Sequence, residues 1–245
     1  MESLGPRQDE TLDSLFQGKL KILQKRSGYR FSMDPVLLVY FAANLRGKRV
    51  LDLGTGCGVI PMILAHKGDV LEAFGLELQE ELVEMAGRSV KLNGLGGKVK
   101  ILQGDFRCIR DIFPPQSFDH VLSNPPYHDP GEGRRSPKRQ KALSRHEEEG
   151  SIEELVEAAK YVLGTKGRLW LTYSPSRLSR LMRALGEGGF VPVRLRFVHG
   201  RAELPARMCL LEAVRGGKGA LRVEPPLILY RQARQYTREL QEVYQ

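Results

Sequence analysis

The chain has little cysteine and no long apolar run, and both absences exclude whole classes of protein. Its 245 residues include three cysteines, Cys57, Cys108 and Cys209, whose separations fit neither a disulfide framework nor a metal site. No apolar leader opens the sequence, and no uncharged apolar stretch is long enough to span a bilayer. We therefore expect a reduced, cytoplasmic protein that binds no metal and no membrane.

Acidic residues are fewer than basic ones. The sequence holds 38 Lys and Arg residues against 29 Asp and Glu, a formal net charge of +9. Such a balance favours an anionic partner, of which nucleic acid and membrane surface are the common kinds. The length suits one well-cored α/β domain.

A glycine-rich turn follows the first apolar strand. RVLDL predicts a strand at 49–53, which leads into GTGCG at 54–58 and then into a helical pattern. Glycines at a strand-to-helix turn let a ligand approach the backbone, and the helix N-terminus adds N–H donors. The dinucleotide fingerprint is broken because Val59 stands where its third glycine belongs, and no Gly-Lys-Ser/Thr follows to bind phosphates. With Asp52 on the strand, this turn suits a cofactor with a charged amino-acid end and no phosphates, such as S-adenosylmethionine.

Acids also end the next two predicted strands. AFGLEL ends near Glu77, where a carboxylate accepts hydrogen bonds from ribose hydroxyls. VKILQGDF ends at Asp105 and Phe106, which could bind an adenine amino group and pack on its ring. Each acid alone is often a solvated strand end or a turn former, so the prediction depends on their order along the chain.

The tetrad Asn124-Pro125-Pro126-Tyr127 follows a further apolar strand at 118–123. The Asn side-chain oxygen and the Pro125 carbonyl can accept the two hydrogens of an amino group, and two prolines fix the backbone between them. Tyr127 offers a flat face for stacking. The tetrad suits methylation of an amino nitrogen whose lone pair is delocalised, and an ordinary Pro-Pro turn is the alternative. The predicted catalytic residues are Asn124, Pro125 and Tyr127. The predicted cofactor-binding residues are Asp52, Gly54, Gly56, Gly58, Glu77, Asp105, Phe106 and Asn124.

The motifs DLGTGCG, GLEL, GDF and NPPY together resemble the class I S-adenosylmethionine-dependent methyltransferases that methylate amino groups. GYRFSMDPVLLVYFA at 28–42, SRHEE at 144–148 and PPLILYRQARQYTREL at 225–240 make the chain similar to the bacterial tRNA1(Val) adenine-N6 methyltransferase family, which modifies an adenine beside the anticodon. The resemblance implies S-adenosylmethionine as cofactor and tRNA as partner. It also implies that the lead-in, residues 1–47, packs over the cofactor site of a catalytic core at 48–245.

Alternating strand and helix patterns predict a single α/β domain with a Rossmann-like, doubly wound and mostly parallel sheet. The seven strand-like segments lie at 49–53, 73–78, 98–102, 118–123, 167–173, 190–199 and 206–214. The last two follow each other without a helix, which predicts an antiparallel hairpin at one edge. Ser151 and Glu154 predict a capping box at the start of a helix. Because strand ends converge in this topology, four strand-end residues are expected to share one site: Asp52, Glu77, Asp105 and Asn124.

A basic segment directly follows the tetrad. Residues 128–147 contain glycine and proline at their start, which predicts a non-helical loop. Such a loop could draw a phosphate backbone onto the site, and a solvated loop without a partner is the alternative. The predicted substrate-binding residues are Arg134, Arg135, Lys138, Arg139, Lys141 and Arg145. His146 is given no catalytic role, and Arg231, Arg234 and Arg238 are weaker candidates on one face of a predicted helix.

Several substrates would suit the tetrad. An adenine in an RNA loop is favoured because an unpaired base costs less to extract than a paired one. A protein glutamine nitrogen has the same delocalised lone pair, but glutamine-N5 methyltransferases usually carry a larger helical domain than this lead-in. Adenine in other RNA or in duplex DNA ranks next, since a DNA enzyme would need a separate recognition region. A non-catalytic RNA-binding module ranks last because the tetrad and the acids are intact.

Overall fold

The computed structural model describes residues 4–27, 30–68, 70–125, 150–231 and 235–244. The strands are β1 (Glu10–Leu15), β2 (Leu20–Lys25), β3 (Arg49–Leu53), β4 (Glu72–Glu77), β5 (Val99–Gln103), β6 (Phe118–Ser123), β7 (Leu163–Tyr173), β8 (Phe190–His199), β9 (Ala206–Arg215), β10 (Arg222–Val223) and β11 (Leu227–Ile228). The α-helices are α1 (Asp34–Phe41), α2 (Val59–His66), α3 (Glu80–Leu92), α4 (Ile109–Ile112), α5 (Ile152–Val162), α6 (Leu178–Glu187) and α7 (Arg238–Val243).

One sheet has the strand order β10-β8-β9-β7-β6-β3-β4-β5, and β11 also pairs with β8. Strands β3 to β7 are mutually parallel, whereas β9 runs antiparallel to both of its neighbours. The predicted doubly wound sheet and its antiparallel β8–β9 hairpin are therefore confirmed. Strand β9 lies between β7 and β8. One detail was not predicted: the two-residue strands β10 and β11 pair with β8 and extend the sheet beyond the seven predicted strands. Strands this short carry no readable alternation.

Strand β7 begins at Leu163 rather than at the predicted 167 because α5 ends at Val162 and passes directly into it. Its pairing with β6 shifts register between Phe118 and His120, which accommodates the additional residues. The predicted capping box at the start of α5 is confirmed, since the side chains of Ser151 and Glu154 each accept a hydrogen bond from the other residue's backbone N–H.

Both faces of the sheet are buried. Alternate residues of the central strands belong to two apolar clusters, one of which includes Val50, Leu122 and Trp170 and lies under α1, α2 and α3. Leu51 and Val121 belong to the other, under α4, α5 and α6. Successive strand side chains point to opposite faces, so two-sided burial requires near-continuous apolar strands.

The strand order reverses between β3 and β6, because the chain proceeds from β3 towards β5 on one side and from β6 towards β7 on the other. In open α/β sheets, ligands bind outside the carboxyl ends of the strands at such a reversal. The glycine turn after β3 and the residues Asn124 and Pro125 after β6 flank this position.

The lead-in packs on the core. Strands β1 and β2 form an antiparallel hairpin against α2 and α3, in which the Leu23 backbone N–H donates to Ser89 Oγ at 3.0 Å. Arg88 of α3 and Glu10 of β1 form a buried ion pair at 2.5 Å. Helix α1 contacts α2 and β7. That this lead-in covers the cofactor stays a prediction.

The C-terminal segment is less helical than expected. Helix α7 begins at Arg238, after Thr237, whose hydroxyl accepts a hydrogen bond from the Leu240 backbone N–H at 3.3 Å. Arg231 precedes the helix, so its predicted place on a shared helical face with Arg238 is wrong, and Arg234 lies outside the described residues. Within the described ranges, no helix is both long and apolar enough to cross a membrane.

Candidate active site

The glycine turn requires its glycines. Gly54, Gly56 and Gly58 have φ angles of +73°, +58° and +76°, which L side chains rarely adopt. A Cβ on Gly58 would lie 3.1 Å from Ala86 Cβ, so the absence of a side chain also lets α2 approach α3. The Gly54 backbone N–H donates to the Leu76 carbonyl oxygen at 2.9 Å, which ties the turn to β4.

Asp52 and Thr55 are buried beneath this turn, with exposed fractions of 1% and 5%. Gly75 lies opposite Asp52 on β4, and a Cβ there would lie 2.7 Å from Thr55 Cγ2, so Thr55 fills the space that a larger residue would occupy. Among the described residues, neither carboxylate oxygen of Asp52 nor the Thr55 hydroxyl has a hydrogen-bond partner. Burial raises the pKa of Asp52 to about 7; the neighbouring Thr55 hydroxyl opposes this rise, and the charge of Glu77 adds to it.

Buried polar atoms without partners are costly and uncommon in folded proteins. Two carboxylate oxygens and a hydroxyl at a strand-to-helix turn therefore indicate a place for a ligand that carries hydrogen-bond donors. The amino-acid end and the ribose of S-adenosylmethionine carry an ammonium group and hydroxyls, so the residues present fit this cofactor.

Glu77 holds the turn to the end of β4. Its Oε2 accepts a hydrogen bond from the Gly56 backbone N–H at 2.8 Å, and its Oε1 accepts one from the Gln79 backbone N–H at 3.0 Å. The carboxylate is buried, with 6% exposed. Each carboxylate oxygen can accept more than one hydrogen bond, so this bracing role is compatible with the predicted contact to ribose. Sequence patterns did not indicate the bracing role.

Asp105 and Phe106 follow β5. Asp105 accepts hydrogen bonds from the Arg107 backbone N–H at 2.8 Å and from Arg107 Nε at 2.7 Å, so it caps the 3₁₀ turn Phe106–Cys108. Burial would raise the pKa of Asp105, but these hydrogen bonds and the charge of Arg107 outweigh it and leave the pKa below its ordinary value. The Phe106 ring lies against Gly150, where a Cβ would be 2.6 Å from Phe106 Cζ. Contact of either residue with adenine stays a prediction.

Asn124 and Pro125 are half-buried at the end of β6. The fully buried Thr172 of β7 donates a hydrogen bond from its hydroxyl to Asn124 Oδ1 at 2.5 Å. Ser123 pairs with Leu171, so the parallel register places the next residue of each strand side by side. Thr172 was missed because the significance of a threonine at a strand end depends on which strand lies beside it.

Tyr127 and all six predicted cations of the basic loop lie outside the described residues. The predictions for these side chains are therefore untested: Tyr127, Arg134, Arg135, Lys138, Arg139, Lys141 and Arg145. His146 lies in the same segment.

The strand ends bring the remaining predicted residues to one edge. Asp52 pairs with Gly75 on β4 and with Leu122 on β6, which places it between Glu77 and Asn124. Adjacent strands lie about 4.8 Å apart, so the ends of β5 and β6, which are three spacings apart, span about 14 Å. A cavity of about 410 Å³ lies at the opposite edge of the sheet, beside Lys48, His120 and Lys166, and is not part of this site.

No three His, Cys, Asp or Glu side chains within the described ranges come together as a metal site would require.

The parallel sheet, the glycine turn and the strand-end acids define a class I S-adenosylmethionine-dependent methyltransferase, which confirms the predicted class and cofactor. Residues 34–185 match the model of the methyltransferase small domain, and the chain belongs to that family.

Curated relatives share this ancestry at modest identity. The chain is 26% identical over 195 residues to the tRNA1(Val) (adenine(37)-N6)-methyltransferase of Pedobacter heparinus, covering 78% of this chain and 81% of that protein. It is 30% identical over 169 residues to the protein of the same name from Porphyromonas gingivalis, covering 66% of each.

Solved structures show the same fold. A crystal structure described as a predicted O-methyltransferase from Agrobacterium tumefaciens superposes with a TM-score of 0.70 at 23% identity, over 86% of this chain and 94% of that one. TrmN from Thermus thermophilus has a TM-score of 0.55 at 23% identity, over 74% of this chain and 48% of that one.

Proposed function

We propose that the protein methylates the exocyclic N6 nitrogen of an adenine in the anticodon-loop region of a tRNA. The observation that carries the proposal is the position of Asn124-Pro125 at the carboxyl end of β6, across the strand reversal from the buried Asp52. The curated relatives, named as tRNA1(Val) adenine-N6 methyltransferases, support the substrate.

Cofactor binding is assigned to the turn and the strand ends. S-adenosylmethionine supplies an electrophilic methyl group when bound. Asp52 and Thr55 would accept hydrogen bonds from its amino-acid end, and Glu77 would accept them from ribose. Asp105 and Phe106 are assigned to adenine. Orientation by these residues provides much of the acceleration, because aligning two reactants removes the entropy cost of their encounter.

The amino group of adenine is a poor nucleophile because its lone pair is delocalised into the ring. Asn124 Oδ1 and the Pro125 carbonyl would accept its two hydrogens and favour a pyramidal nitrogen, an electrostatic effect that is strongest in the transition state. Thr172 already donates to Asn124 Oδ1. An amide oxygen has two lone pairs, so Asn124 Oδ1 can accept hydrogen bonds from Thr172 and from adenine together. In the alternative arrangement, the carboxamide turns by 180°, so that Nδ2 donates a hydrogen bond to the Thr172 hydroxyl and Oδ1 faces the crevice.

The base itself must leave its neighbours to reach this crevice. Tyr127 is assigned to stack on the extracted base, and the basic loop, residues 128–147, is assigned to the phosphate backbone. An unpaired base costs less to extract, which favours an RNA loop.

The test incubates the purified protein with methyl-labelled cofactor and, in separate reactions, bacterial tRNA, duplex DNA and a ribosome-depleted protein fraction. We expect label in tRNA, recovered after digestion as N6-methyladenosine. Label on protein glutamine, or on DNA with none on tRNA, would overturn the proposal. Boiled enzyme and unlabelled cofactor in excess are the controls.

A further inference from the structure

Three tyrosines of the C-terminal segment lie in one pile. The ring centroids of Tyr230 and Tyr236 are 5.5 Å apart, and those of Tyr236 and Tyr244 are 6.4 Å apart with the ring planes 10° from parallel. A backbone bridge between Tyr230 and Tyr236 fixes the first pair. Tyr236 is 42% exposed, although it is large and aromatic. This tyrosine pile, Tyr230, Tyr236 and Tyr244, therefore presents aromatic surface to solvent.

The tyrosine pile lies at the edge of the sheet where the parallel strands β3 to β7 have their carboxyl ends. Strand β8 is parallel to β7, since both run antiparallel to β9, so β8 ends at the same edge as Asn124 and Pro125. The Tyr230 backbone N–H donates to the Gly200 carbonyl oxygen at 2.9 Å, just beyond the end of β8. From β6 through β7, β9 and β8 to β11 there are four strand spacings, which at about 4.8 Å each put Tyr230 roughly 19 Å from Asn124.

The segment that carries the tyrosine pile also lies on the same face as Asn124. Leu227, Leu229 and Leu240 are buried in the apolar cluster that contains Leu122 of β6. Side chains two residues apart on a strand share a face, so Asn124 is on the side of Leu122. The tyrosine pile and Asn124 therefore lie at the same edge and on the same face of the sheet.

Positive charge accompanies the aromatic rings. Arg207 and Arg231 are exposed, and Arg231 directly follows Tyr230. Arg207 Cδ lies 3.6 Å from the position that a Cβ on Gly200 would take, beside the contact of Gly200 with Tyr230. Among the described residues, neither arginine forms an ion pair. Burial raises the pKa of Asp34, and the nearby charge of Arg207 opposes that rise. Both guanidinium groups therefore add positive charge beside the exposed ring.

Aromatic faces beside guanidinium groups are the combination that binds single-stranded nucleic acid, because every base can stack on a ring and every nucleotide carries a phosphate. Apolar packing of the C-terminal segment explains the position of Tyr244, which is buried enough that its pKa rises to about 12. It does not explain why the ring of Tyr236 is exposed.

We propose that the tyrosine pile, with Arg207 and Arg231, forms a second binding surface for the RNA substrate, stacking an unpaired base several nucleotides from the adenine that reacts at Asn124. This inference rests on the proposed RNA methylation. The pile acts in substrate binding and takes no part in the chemical step.

The test compares Tyr236→Ala with Tyr236→Phe, which retains the ring. The control is Leu71→Ala, which removes another exposed apolar side chain, 58% exposed, just before β4 at the opposite edge of the sheet. Each variant is assayed for kcat and KM with an anticodon stem-loop RNA, for cofactor affinity, and for thermal unfolding. We expect Tyr236→Ala to raise KM for RNA about tenfold or more, with kcat, cofactor Kd and Tm unchanged, because stacking is a large part of single-strand affinity. The Tyr236→Phe and Leu71→Ala variants should stay within about twofold of wild type.

The double variant Arg207→Ala/Arg231→Ala provides an independent readout. The slope of log Kd against log salt concentration should fall by about one for each phosphate that the variant no longer binds. An unchanged KM for Tyr236→Ala together with an unchanged salt slope would overturn this inference while leaving the methylation proposal intact. Failure of the wild-type protein to methylate any RNA would instead overturn the proposed function.

Discussion

Replacing Asp52 with Asn should make the protein more stable while weakening its binding of cofactor. The pKa of Asp52 is raised from 3.8 to about 7, chiefly by burial. An acid whose pKa is higher in the folded state than in the unfolded state loses its proton more readily on unfolding. Its ionisation therefore lowers the free energy of unfolding as pH rises from about 4 to about 7, and the loss is complete above that range.

The magnitude follows from the size of the shift. Each pKa unit corresponds to about 1.4 kcal/mol, so ionised Asp52 costs the ligand-free protein up to about 4 kcal/mol above pH 7. Asn removes that cost, but it buries an NH₂ group without a hydrogen-bond partner, which cancels about 1–3 kcal/mol of the gain in stability. We expect a net gain of about 2 kcal/mol at pH 8, which for a chain of this size raises Tm by about 4–8 °C.

The assay is thermal unfolding with and without S-adenosylmethionine at pH 8 and pH 5, alongside direct measurement of cofactor affinity. The gain in Tm should shrink as pH falls towards 4, because the wild-type carboxyl then becomes protonated. Loss of the charge-assisted hydrogen bonds should weaken cofactor binding roughly 10- to 100-fold.

Asp119→Asn is the matched control. Asp119 lies on β6 near the opposite edge and accepts hydrogen bonds from the Arg49 backbone N–H at 2.9 Å and Lys48 Nζ at 3.2 Å. Burial would raise the pKa of Asp119, but these bonds outweigh it and lower the pKa, so its replacement should destabilise the protein and leave cofactor affinity unchanged. If Asp52→Asn is no more stable than wild type at pH 8 and binds cofactor normally, the reasoning about Asp52 is wrong.

Two further predictions concern buried neighbours of the strand ends. Thr172→Val removes the hydroxyl that orients Asn124 and should lower kcat about tenfold with cofactor Kd unchanged. Thr172→Ser keeps the hydroxyl and should retain activity. Equal activity of the two variants would contradict this role of Thr172. Burial lowers the pKa of His120 to about 4, while Trp170 Nε1 donates to its Nδ1 at 3.1 Å. The free energy of unfolding should therefore fall by up to about 3 kcal/mol as pH falls from 6.5 to 4. The His120→Asn variant should unfold in acid at a lower pH than wild type, as circular dichroism would measure.

The sequence contained most of the information that defines the sheet. Each of the seven predicted strands is present. The central parallel strands could be predicted because burial on both faces makes them near-continuous apolar runs. The Ser151 capping box is a local pattern that needs no tertiary information. The start of β7 was placed at 167 because Gly164 reads as the end of the preceding helix. In the structure that helix passes directly into the strand at Leu163, which pairs with Phe118 of β6.

The candidate site was only partly readable for a different reason. Gly54, Gly56 and Gly58 predict a tight turn by themselves, but the hydrogen bond between Thr172 and Asn124 joins residues that are distant in sequence and exists because β6 and β7 are neighbours. Asp105 illustrates a third case, since the same residue type at the same position suits both a cap for a 3₁₀ turn and a ligand contact.

The most direct test of the account is Asn124→Ala, assayed separately for methyl transfer to tRNA and for affinity for S-adenosylmethionine. We expect transfer to fall at least about 100-fold, as when one preorganised polar group is removed from a transition state, while cofactor Kd changes less than about threefold. Transfer near the wild-type rate, or cofactor affinity that falls as far as turnover does, would contradict the assignment of Asn124 to the target amino group.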